Sequence, residues 1–472
     1  MAQEDMRLED AISIARSQSV EAMSAKQSFI SAYWSFRAYR ASRLPSLVLY
    51  GNLANFDRSL TLLQNYQTGD MVYANTYNMQ NSLGLAFNQN ITFTGGTLSL
   101  YSDLSRIDQF GANRSLTWYA QPVTVSYNQP LFAYNQFKWD KLIEPKEYER
   151  SRRAYMEAME EVGIDAVEAF FSLLLAKVDH ETAESNFENS RTMYSVASER
   201  LKIGSISKDE CLQMEMRMLS DSIQINETSI KLREAQMALN SLLGYDEKTE
   251  VSPSLDISLP DLALNYDMVL NKVMENSSFN LENDIAVMQA KSDIARAKAN
   301  RGVSMTAHAR FGLSNTAGSF EKVYSDPLNQ EVVGLGFSIP LFDWGLGKGR
   351  VQKAVAARAV TEARVLQKEN DFRRQIFSKV AEFNSQRGQC LVSARAAEIA
   401  QERYVLVLGR FREGAVSVTE LINSQTEKDG AVSRNISDLG KYWKSYYELR
   451  KLALYDFIAD CDLAVDTDEL IQ

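Results

Sequence analysis

The chain has 472 residues, of which 45% are hydrophobic and 10% aromatic, and it carries a formal net charge of −10. The acidic balance and the lack of a long lysine or arginine run argue against nucleic acid as a partner. Three cysteines, Cys211, Cys390 and Cys461, are too few for a disulfide framework, and we expect them to be small buried or half-buried helix residues.

No stretch of the sequence reaches the roughly 18 apolar residues of a transmembrane helix. This leaves a soluble protein or a membrane β-barrel, whose strands need only about 10 residues of alternating character. The N-terminus, Met1–Asp5, has neither the basic nor the apolar region of a signal peptide. It resembles a mature start behind an added Met, so we expect any signal peptide to be absent from this chain.

The first predicted element is a helix over about residues 7–42, which ends before Pro45 because the residue preceding a proline is disfavoured in the α region. Segments with period-two alternation follow at about 46–57, 82–106 and 116–130, with a turn at Gly95-Gly96. A long helix over about 132–202 then reverses at Gly204 into a second helix over about 207–243. A turn-rich connector, 244–266, ends this half of the chain.

The second half repeats this order. A helical segment precedes β segments at about 303–314 and 330–340, and a helix over about 341–412 reverses at Gly414 into another over about 417–459. The run 341–412 contains no proline, and as one helix it would be about 100 Å long. Helices of this length predict an elongated bundle or coiled coil.

Two motifs recur 210 residues apart. Asn128–Phe132 returns as Ser338–Phe342, and Arg200–Ser207 with Glu210 returns as Arg410–Ser417 with Glu420. Upstream, Ala15–Ser19 aligns with Val273–Ser277 at an offset of 258, so the first copy holds 48 additional residues between Arg43 and Pro130. The pattern predicts a tandem duplication, with a first repeat at 1–243, the connector, and a second repeat at 267–472.

The β segments have two unlike faces. Near residue 335, four apolar residues alternate with small, polar or less bulky ones: Val333, Leu335, Phe337 and Ile339 against Val332, Gly334, Gly336 and Ser338. One such face suits lipid and the other an aqueous lumen, although half-buried strands of soluble proteins alternate in the same way. We expect the apolar set to face lipid.

A helix, strands, Pro-Leu-Phe at the strand-to-helix junction and a long hairpin turning at Arg-x-x-x-Gly-x-x-Ser-x-x-Glu, all duplicated, resemble the TolC-type outer-membrane efflux proteins. The resemblance implies an α+β membrane protein in which three protomers form one outer-membrane β-barrel continued by a periplasmic α-helical barrel. It also implies a periplasmic adaptor and an inner-membrane pump as partners, and no cofactor. The 48-residue excess departs from two strands per copy. It is an additional barrel hairpin or an excursion on either side of the membrane.

Local chemistry explains the tip motifs without a function. Gly204 and Gly414 suit helix C-termini that need a positive φ, and Ser207–Glu210 and Ser417–Glu420 have the spacing of capping boxes. The resemblance adds that Glu420 aligns with an acidic residue ringing the periplasmic aperture, whereas the next aperture position is Asn423. It also implies that two tip segments dock the adaptor: Gly204, Ser205 and Ile206, and Gly414, Ala415 and Val416.

The junction residues Pro130, Phe132, Pro340 and Phe342, with Tyr134 and Trp344 beside them, fit either an interfacial aromatic girdle or ordinary packing at a kink. Three other signals are discounted. Gly345–Gly349 lacks phosphate-loop spacing, the stripe Cys211, Met214 and Met218 favours packing over a soft-metal site, and His180 and His308 lie in unrelated segments.

The sequence shows no nucleophile–base arrangement, so we expect neither an enzyme nor a metal site. The leading hypothesis is an exit duct in the outer membrane of a Gram-negative bacterium, with helices in the periplasm. The alternative is a soluble or surface-attached helical scaffold, which leaves the duplicated strands with apolar faces unexplained. A duct would behave as a heat-modifiable trimer after detergent extraction, whereas a scaffold would need no detergent.

Overall fold

The computed structural model describes residues 4–64, 69–111, 114–254, 259–466 and 470–471. Residues 1–3 of the expected mature start and residues 255–258 of the predicted connector lie outside the described residues. The chain divides into two compact units. The first contains the segments up to Ala32, Glu149–Leu281 and from Leu366 onward, and the second contains Tyr33–Tyr148 and Glu282–Val365.

In chain order the elements are β1 (Glu4–Met6), α1 (Leu8–Gln18), α2 (Val20–Ser42), β2 (Ser46–Gln64), β3 (Met71–Ile91), β4 (Gly96–Gln109), β5 (Ser115–Leu131), α3 (Gln136–Lys202), α4 (Lys208–Leu243), β6 (Val251–Pro253), α5 (Tyr266–Asn276), α6 (Ser278–Arg301), β7 (Ser304–Ala317), β8 (Leu328–Ser338), α7 (Leu346–Glu413), α8 (Val418–Ala453), β9 (Tyr455–Asp456) and β10 (Cys461–Asp462).

The second unit contains a six-stranded antiparallel sheet in the order β2-β3-β4-β5-β7-β8. Strands β2 and β7 begin 258 residues apart, at Ser46 and Ser304, and each follows a helix. The excess of the first copy is therefore occupied mainly by β3 and β4, which form a hairpin within the same sheet. The turn predicted at Gly95-Gly96 joins them, and Gly95 has the positive φ of 78° that this turn requires.

Both copies begin with a broken helix where the sequence suggests a continuous one. Ser19 separates α1 from α2, and Ser277, its partner in the repeat, separates α5 from α6. Each serine is buried and has an extended backbone. The Ser19 hydroxyl accepts a hydrogen bond of 3.0 Å from the Ala22 N–H and so caps α2. The predicted helix over 7–42 is therefore two helices.

The first unit is held by a core of buried apolar side chains from α1 to α5, α7 and α8. The following large side chains of this core are fully buried or nearly so: Phe170, Leu173, Leu239, Leu243, Ile376, Phe383, Tyr442, Tyr446 and Leu449. Burying aromatic and leucine side chains gives the largest hydrophobic stabilisation per residue. Short strands β1 and β6 pair in parallel at the edge of this core.

Helix α8 ends earlier than the sequence predicts, at Ala453, because Leu454 adopts a left-handed conformation with a φ of 46°. The following turn is organised by Asp456. Its carboxylate accepts hydrogen bonds from the Tyr446 hydroxyl at 2.6 Å and from the Ala459 N–H at 2.9 Å. Burial alone would raise the pKa of Asp456, but these donors hold it below its usual value.

Cys461 contradicts the expectation for the cysteines. Cys211 and Cys390 are buried in helices, whereas Cys461 is exposed in the short strand β10. The cause is the early end of α8, which leaves the residues beyond it in turns and a two-stranded hairpin.

Candidate functional site

The two helical hairpins reverse through the same local structure. At the end of α3, the N–H of Gly204 donates to Leu201 O at 3.0 Å and the N–H of Ser205 donates to Arg200 O at 2.9 Å. At the end of α7, Gly414 and Ala415 make the equivalent bonds, also at 3.0 and 2.9 Å. This is the Schellman arrangement, and its left-handed residue has a φ of 70° at Gly204 and 81° at Gly414.

The two reversals contact each other, as the duplication predicts. The Arg200 guanidinium donates from Nη2 to Arg412 O at 2.7 Å and from Nη1 to Phe411 O at 3.5 Å. A cation placed on the last carbonyl groups of a helix satisfies acceptors that have no partner within the helix. Sequence reasoning missed this role of Arg200, although the residue opens the repeated motif.

An apolar cluster lies beneath these reversals, here called the tip cluster: Met193, Ala197, Cys211, Met214, Tyr404, Val407, Phe411, Val418 and Leu421. Ile206 and Val416 pack against it, whereas Gly204, Ser205, Gly414 and Ala415 are exposed. The predicted docking segments therefore divide into exposed backbone turns and anchoring side chains. Cys211 and Met214 lie inside the tip cluster, where they pack against other side chains.

The two helix starts beyond the reversals differ. Ser207 and Glu210 form a complete capping box, in which the Glu210 N–H donates to Ser207 Oγ at 3.2 Å and the Ser207 N–H to Glu210 Oε2 at 2.9 Å. In the second copy the Glu420 N–H donates to Ser417 Oγ at 3.3 Å. Among the hydrogen bonds of the described residues, none returns from Ser417 N to the Glu420 carboxylate.

The predicted second capping box is thus only half formed. Glu420 is half-buried, and Asn423, one helical turn further along, is exposed. A carboxylate without a local donor remains available for ions or for other chains. In a single protomer, however, Glu420 and Asn423 only share one face of α8, and a ring requires further copies.

The six-stranded sheet has an apolar face that extends across every strand. Its members are exposed, and they are placed on one side by the strand register: Leu47, Leu49, Leu83, Leu85, Phe87, Leu98, Leu100, Val125, Phe311, Val333, Leu335 and Phe337. The opposite face carries mostly small, polar and charged residues: Ser82, Gly84, Ser99, Asp103, Ser126, Thr306, Arg310, Gly312, Gly334 and Gly336. The alternation predicted near residue 335 therefore holds for the whole sheet.

The junction aromatics are exposed where the strands end. Phe132, Phe342 and Trp344 are 75%, 76% and 92% exposed, and the rings of Phe342 and Trp344 meet edge to face at 4.7 Å. Tyr134 differs, because its hydroxyl lies 2.6 Å from Ser292 Oγ on α6. Tyr134 is therefore tied by a hydrogen bond to the neighbouring helix, while the other three rings are exposed.

The two junction prolines occupy different positions. Pro130 lies within β5, opposite Thr306 in β7, whereas Pro340 lies just beyond the end of β8. Phe132 and Trp344 both have a positive φ, at 63° and 51°. Non-glycine residues rarely adopt this conformation, so both copies turn from strand to helix through a strained residue.

Comparison with known proteins finds a family that part of this chain resembles. Residues 277–453 match the family model of outer membrane efflux proteins. The chain is similar to this family over those residues, which make up less than half of its length. No curated protein matches the chain in sequence.

Solved structures extend the likeness over nearly the whole chain. The Campylobacter jejuni outer membrane channel CmeC superimposes with a TM-score of 0.68 at 14% identity, covering 98% of this chain and 88% of that one. The Vibrio cholerae outer membrane protein VceC gives 0.65 at 13% identity, covering 97% of each chain. The open Neisseria gonorrhoeae outer membrane channel MtrE gives 0.60 at 14% identity, covering 97% of this chain and 91% of that one.

These likenesses confirm the resemblance and the α+β fold class expected from the sequence. The matched family and these structural neighbours are outer membrane proteins, in agreement with the expected location. The segment that matches the family model covers most of the predicted second repeat, from Ser277 at the helix break to Ala453 at the end of α8.

In the glycine-rich segment after β8, the backbone N–H groups bind the side chain of the preceding Asp343. Asp343 accepts hydrogen bonds from the N–H groups of Gly345 at 2.9 Å and Gly347 at 2.7 Å. The N–H of Gly347, followed by that of Gly345, lowers the pKa of the Asp343 carboxyl. The amides that a phosphate would need are thus occupied, and the start of α7 is capped.

The histidines remain unrelated in the structure. His180 lies on α3, with Nδ1 3.0 Å from Thr228 Oγ1, whereas His308 lies on β7 opposite Gly334. Within the described ranges, no group of three or more His, Cys, Asp or Glu side chains is placed to hold a metal ion.

No helix in the described part of the chain combines the length and apolar character needed to cross a membrane.

Proposed function

We propose that the protein is the subunit of an outer-membrane efflux channel that gives substrates an exit duct from a tripartite efflux or type I secretion system. The observation that carries this proposal is the apolar face across all six strands of the sheet. An exposed apolar surface of this extent is unfavourable in water and marks an interaction surface. Contact with lipid gives every one of these side chains an apolar environment.

The proposed architecture has two structural repeats, 1–243 and 267–472, separated by the connector 244–266. Equivalent helix breaks, strand starts and hairpin reversals support this division. Three copies would form the outer-membrane duct of a Gram-negative bacterium, with the helices in the periplasm. The exposed rings of Phe132, Phe342 and Trp344 would lie at the membrane–water interface, where amphipathic and large aromatic side chains concentrate.

The hairpin tips are the proposed docking surface for the periplasmic adaptor. Gly204, Ser205, Gly414 and Ala415 expose turn backbone there, while Ile206 and Val416 fix those turns on the tip cluster. A rigid, side-chain-poor surface favours recognition by shape, because little conformational entropy is lost on binding. The inner-membrane pump would act through the adaptor and would determine substrate choice.

Glu420 is the proposed acid of the periplasmic aperture. Three carboxylates brought together on an axis repel one another and attract cations, which is how charged rings select ions in pores. Its support in this chain is the contrast with Glu210. Glu210 accepts a bond from its cap residue, whereas the Glu420 carboxylate accepts none from Ser417.

The duct and the scaffold differ in their need for a membrane. The duct predicts a protein extracted only by detergent, which runs as a trimer before heating and as a monomer afterwards. Recovery of a stable protein from the aqueous fraction, with no heat-sensitive trimer, would establish the scaffold instead. The apolar sheet face favours the duct because a soluble scaffold would have to expose it to water.

The aperture role is tested by Glu420→Gln in planar-bilayer recordings, with Glu210→Gln as the matched control. Gln can replace Glu at the third position of a helix, so neither change should disturb assembly or thermal stability. Glu420→Gln is expected to weaken cation block or cation selectivity, and Glu210→Gln to leave both unchanged. Identical conductance and selectivity in the two variants would refute the ring and leave Glu420 with a local role only.

A further inference from the structure

The hairpin β3–β4 is an integral part of the sheet. It lies between β2 and β5, pairing with β2 along most of the length of that strand and with β5 from Thr97 to Gln109. It also continues the apolar face, through Leu83, Leu85 and Phe87 on β3 and Leu98 and Leu100 on β4. A hairpin folded outside the membrane would not need to align its apolar side chains with those of its neighbours.

The sheet also has two complementary free edges. In the described part of the chain, β2 pairs only with β3, and β8 pairs only with β7. The outer N–H and C=O groups of both strands therefore lack partners, which hydrocarbon does not tolerate. Because all neighbouring strands are antiparallel and their number is even, β2 and β8 run in opposite directions. The β8 edge of a second copy can pair antiparallel with the β2 edge of the first.

Resting on the proposed trimeric duct, we infer that the 48-residue excess widens the barrel. Each copy contributes six strands, and three copies close an 18-stranded barrel through three β2–β8 seams. Apolar residues flank the seam on both sides, with Leu47 and Leu49 on β2 and Leu335 and Phe337 on β8. Closure therefore continues the lipid-facing band around the ring without a polar gap.

The strand number determines the width of the opening. With strands about 4.8 Å apart and tilted by about 40°, 18 strands give a backbone radius of about 18 Å, and 12 strands give about 12 Å. The cross-section is then roughly twice that of a barrel with four strands per copy. The outer-membrane end would be a wide aqueous opening, and passage would be controlled at the tips.

The radius can be measured by pulsed electron spin resonance on the full chain in liposomes. A single spin label at Val125→Cys on β5, with the three native cysteines replaced by alanine, gives one distance between equivalent positions in a trimer. That distance is about 1.7 times the radius, so backbone positions should lie about 31 Å apart with 18 strands and about 21 Å apart with 12. Deleting residues 65–112 removes the 48-residue excess and should bring the distance to the shorter value.

A second measurement does not depend on the deletion variant folding. Labels placed one at a time at residues 83, 85, 86 and 87 should alternate, with 83, 85 and 87 accessible to oxygen in lipid and 86 accessible to a water-soluble nickel complex. Gly84 is left unlabelled because a side chain there would overlap Asp103 and Tyr50. An intact trimer with the shorter distance, or with no alternation at 83–87, overturns the widened barrel and leaves the exit duct standing. A chain that neither trimerises nor enters liposomes overturns the proposed function itself.

Discussion

An arginine scan along β8 tests whether the apolar sheet face meets lipid. Val333, Leu335 and Phe337 point to this face and are 74%, 57% and 69% exposed. Strand β8 ends at Ser338, and the exposed aromatics Phe342 and Trp344 follow. If those rings lie at the interface, distance from Ser338 along the strand measures depth in the membrane.

The expected penalties follow from that geometry. A residue rises about 3.3 Å along a strand tilted by about 40°, so Phe337, Leu335 and Val333 lie about 3, 8 and 13 Å into an apolar band about 25 Å tall. Arginine costs about 2–4 kcal/mol at the midplane and about 0–1 near the interface. We therefore expect Val333→Arg to lower the free energy of unfolding by about 3 kcal/mol per copy, Leu335→Arg by about 2 kcal/mol and Phe337→Arg by less than about 1 kcal/mol.

The assay is the urea midpoint of the protein folded in lipid vesicles, at equal protein concentration because trimer stability depends on it. Gly336→Arg is the matched control, since Gly336 points to the polar face and the nearest heavy atom to an added Cβ is 3.9 Å away. It should have little effect. A flat series, or a penalty at Gly336 as large as at Val333, would contradict the lipid-facing assignment.

Three further predictions concern stability. Ser19→Ala should lower the free energy of unfolding by about 1 kcal/mol because it removes a helix cap. Ser277→Ala should be nearly neutral because the Ser277 hydroxyl has no hydrogen-bond partner among the described residues. Urea unfolding of the two variants measures the difference. Gly204→Ala should lower the free energy of unfolding by about 1 kcal/mol, because Gly204 has a φ of 70° that alanine adopts only with strain. Gly388→Ala should raise it by about 1 kcal/mol, because Gly388 lies inside α7, where alanine has the higher helix propensity. The same urea assay measures both. The lowered pKa of Asp456 implies a contribution that is present above about pH 4 and lost as the pH falls through that pKa, so Asp456→Asn should flatten the decline of the urea midpoint in acid.

The repeated motifs predicted most of the fold because each records a backbone requirement. Positive φ at Gly204 and Gly414 fixed both hairpin reversals, and the period-two pattern placed β5 and β8 within two residues of their observed ends. The helix break at Ser19 was missed because no proline or glycine lies near it in the sequence. Only burial of the serine against the core shows why the chain bends there.

The long-range features could not be read from local patterns. The carbonyl contacts of Arg200 depend on two segments more than 200 residues apart meeting at one point. The hairpin β3–β4 could equally have left the sheet, because alternation says nothing about which strand a segment pairs with. The half-formed cap at Glu420 differs from the complete one at Glu210 although the two motifs share the same spacing.

The proposed duplication allows the local structural role of a residue to be distinguished from a functional one. Two positions with the same local backbone geometry should share its structural requirements, so a difference between them points to something outside that geometry. Glu210 satisfies its capping role through both of its hydrogen bonds, whereas Glu420 keeps its position on the helix without the reciprocal bond. Ser205 and Ala415 occupy equivalent places in identical turns, so side-chain chemistry there is free to vary while the exposed backbone is kept. Under the proposed function, adaptor recognition at the tips should therefore depend on turn geometry. Ion control should depend on Glu420, whose carboxylate accepts no hydrogen bond from its cap residue Ser417.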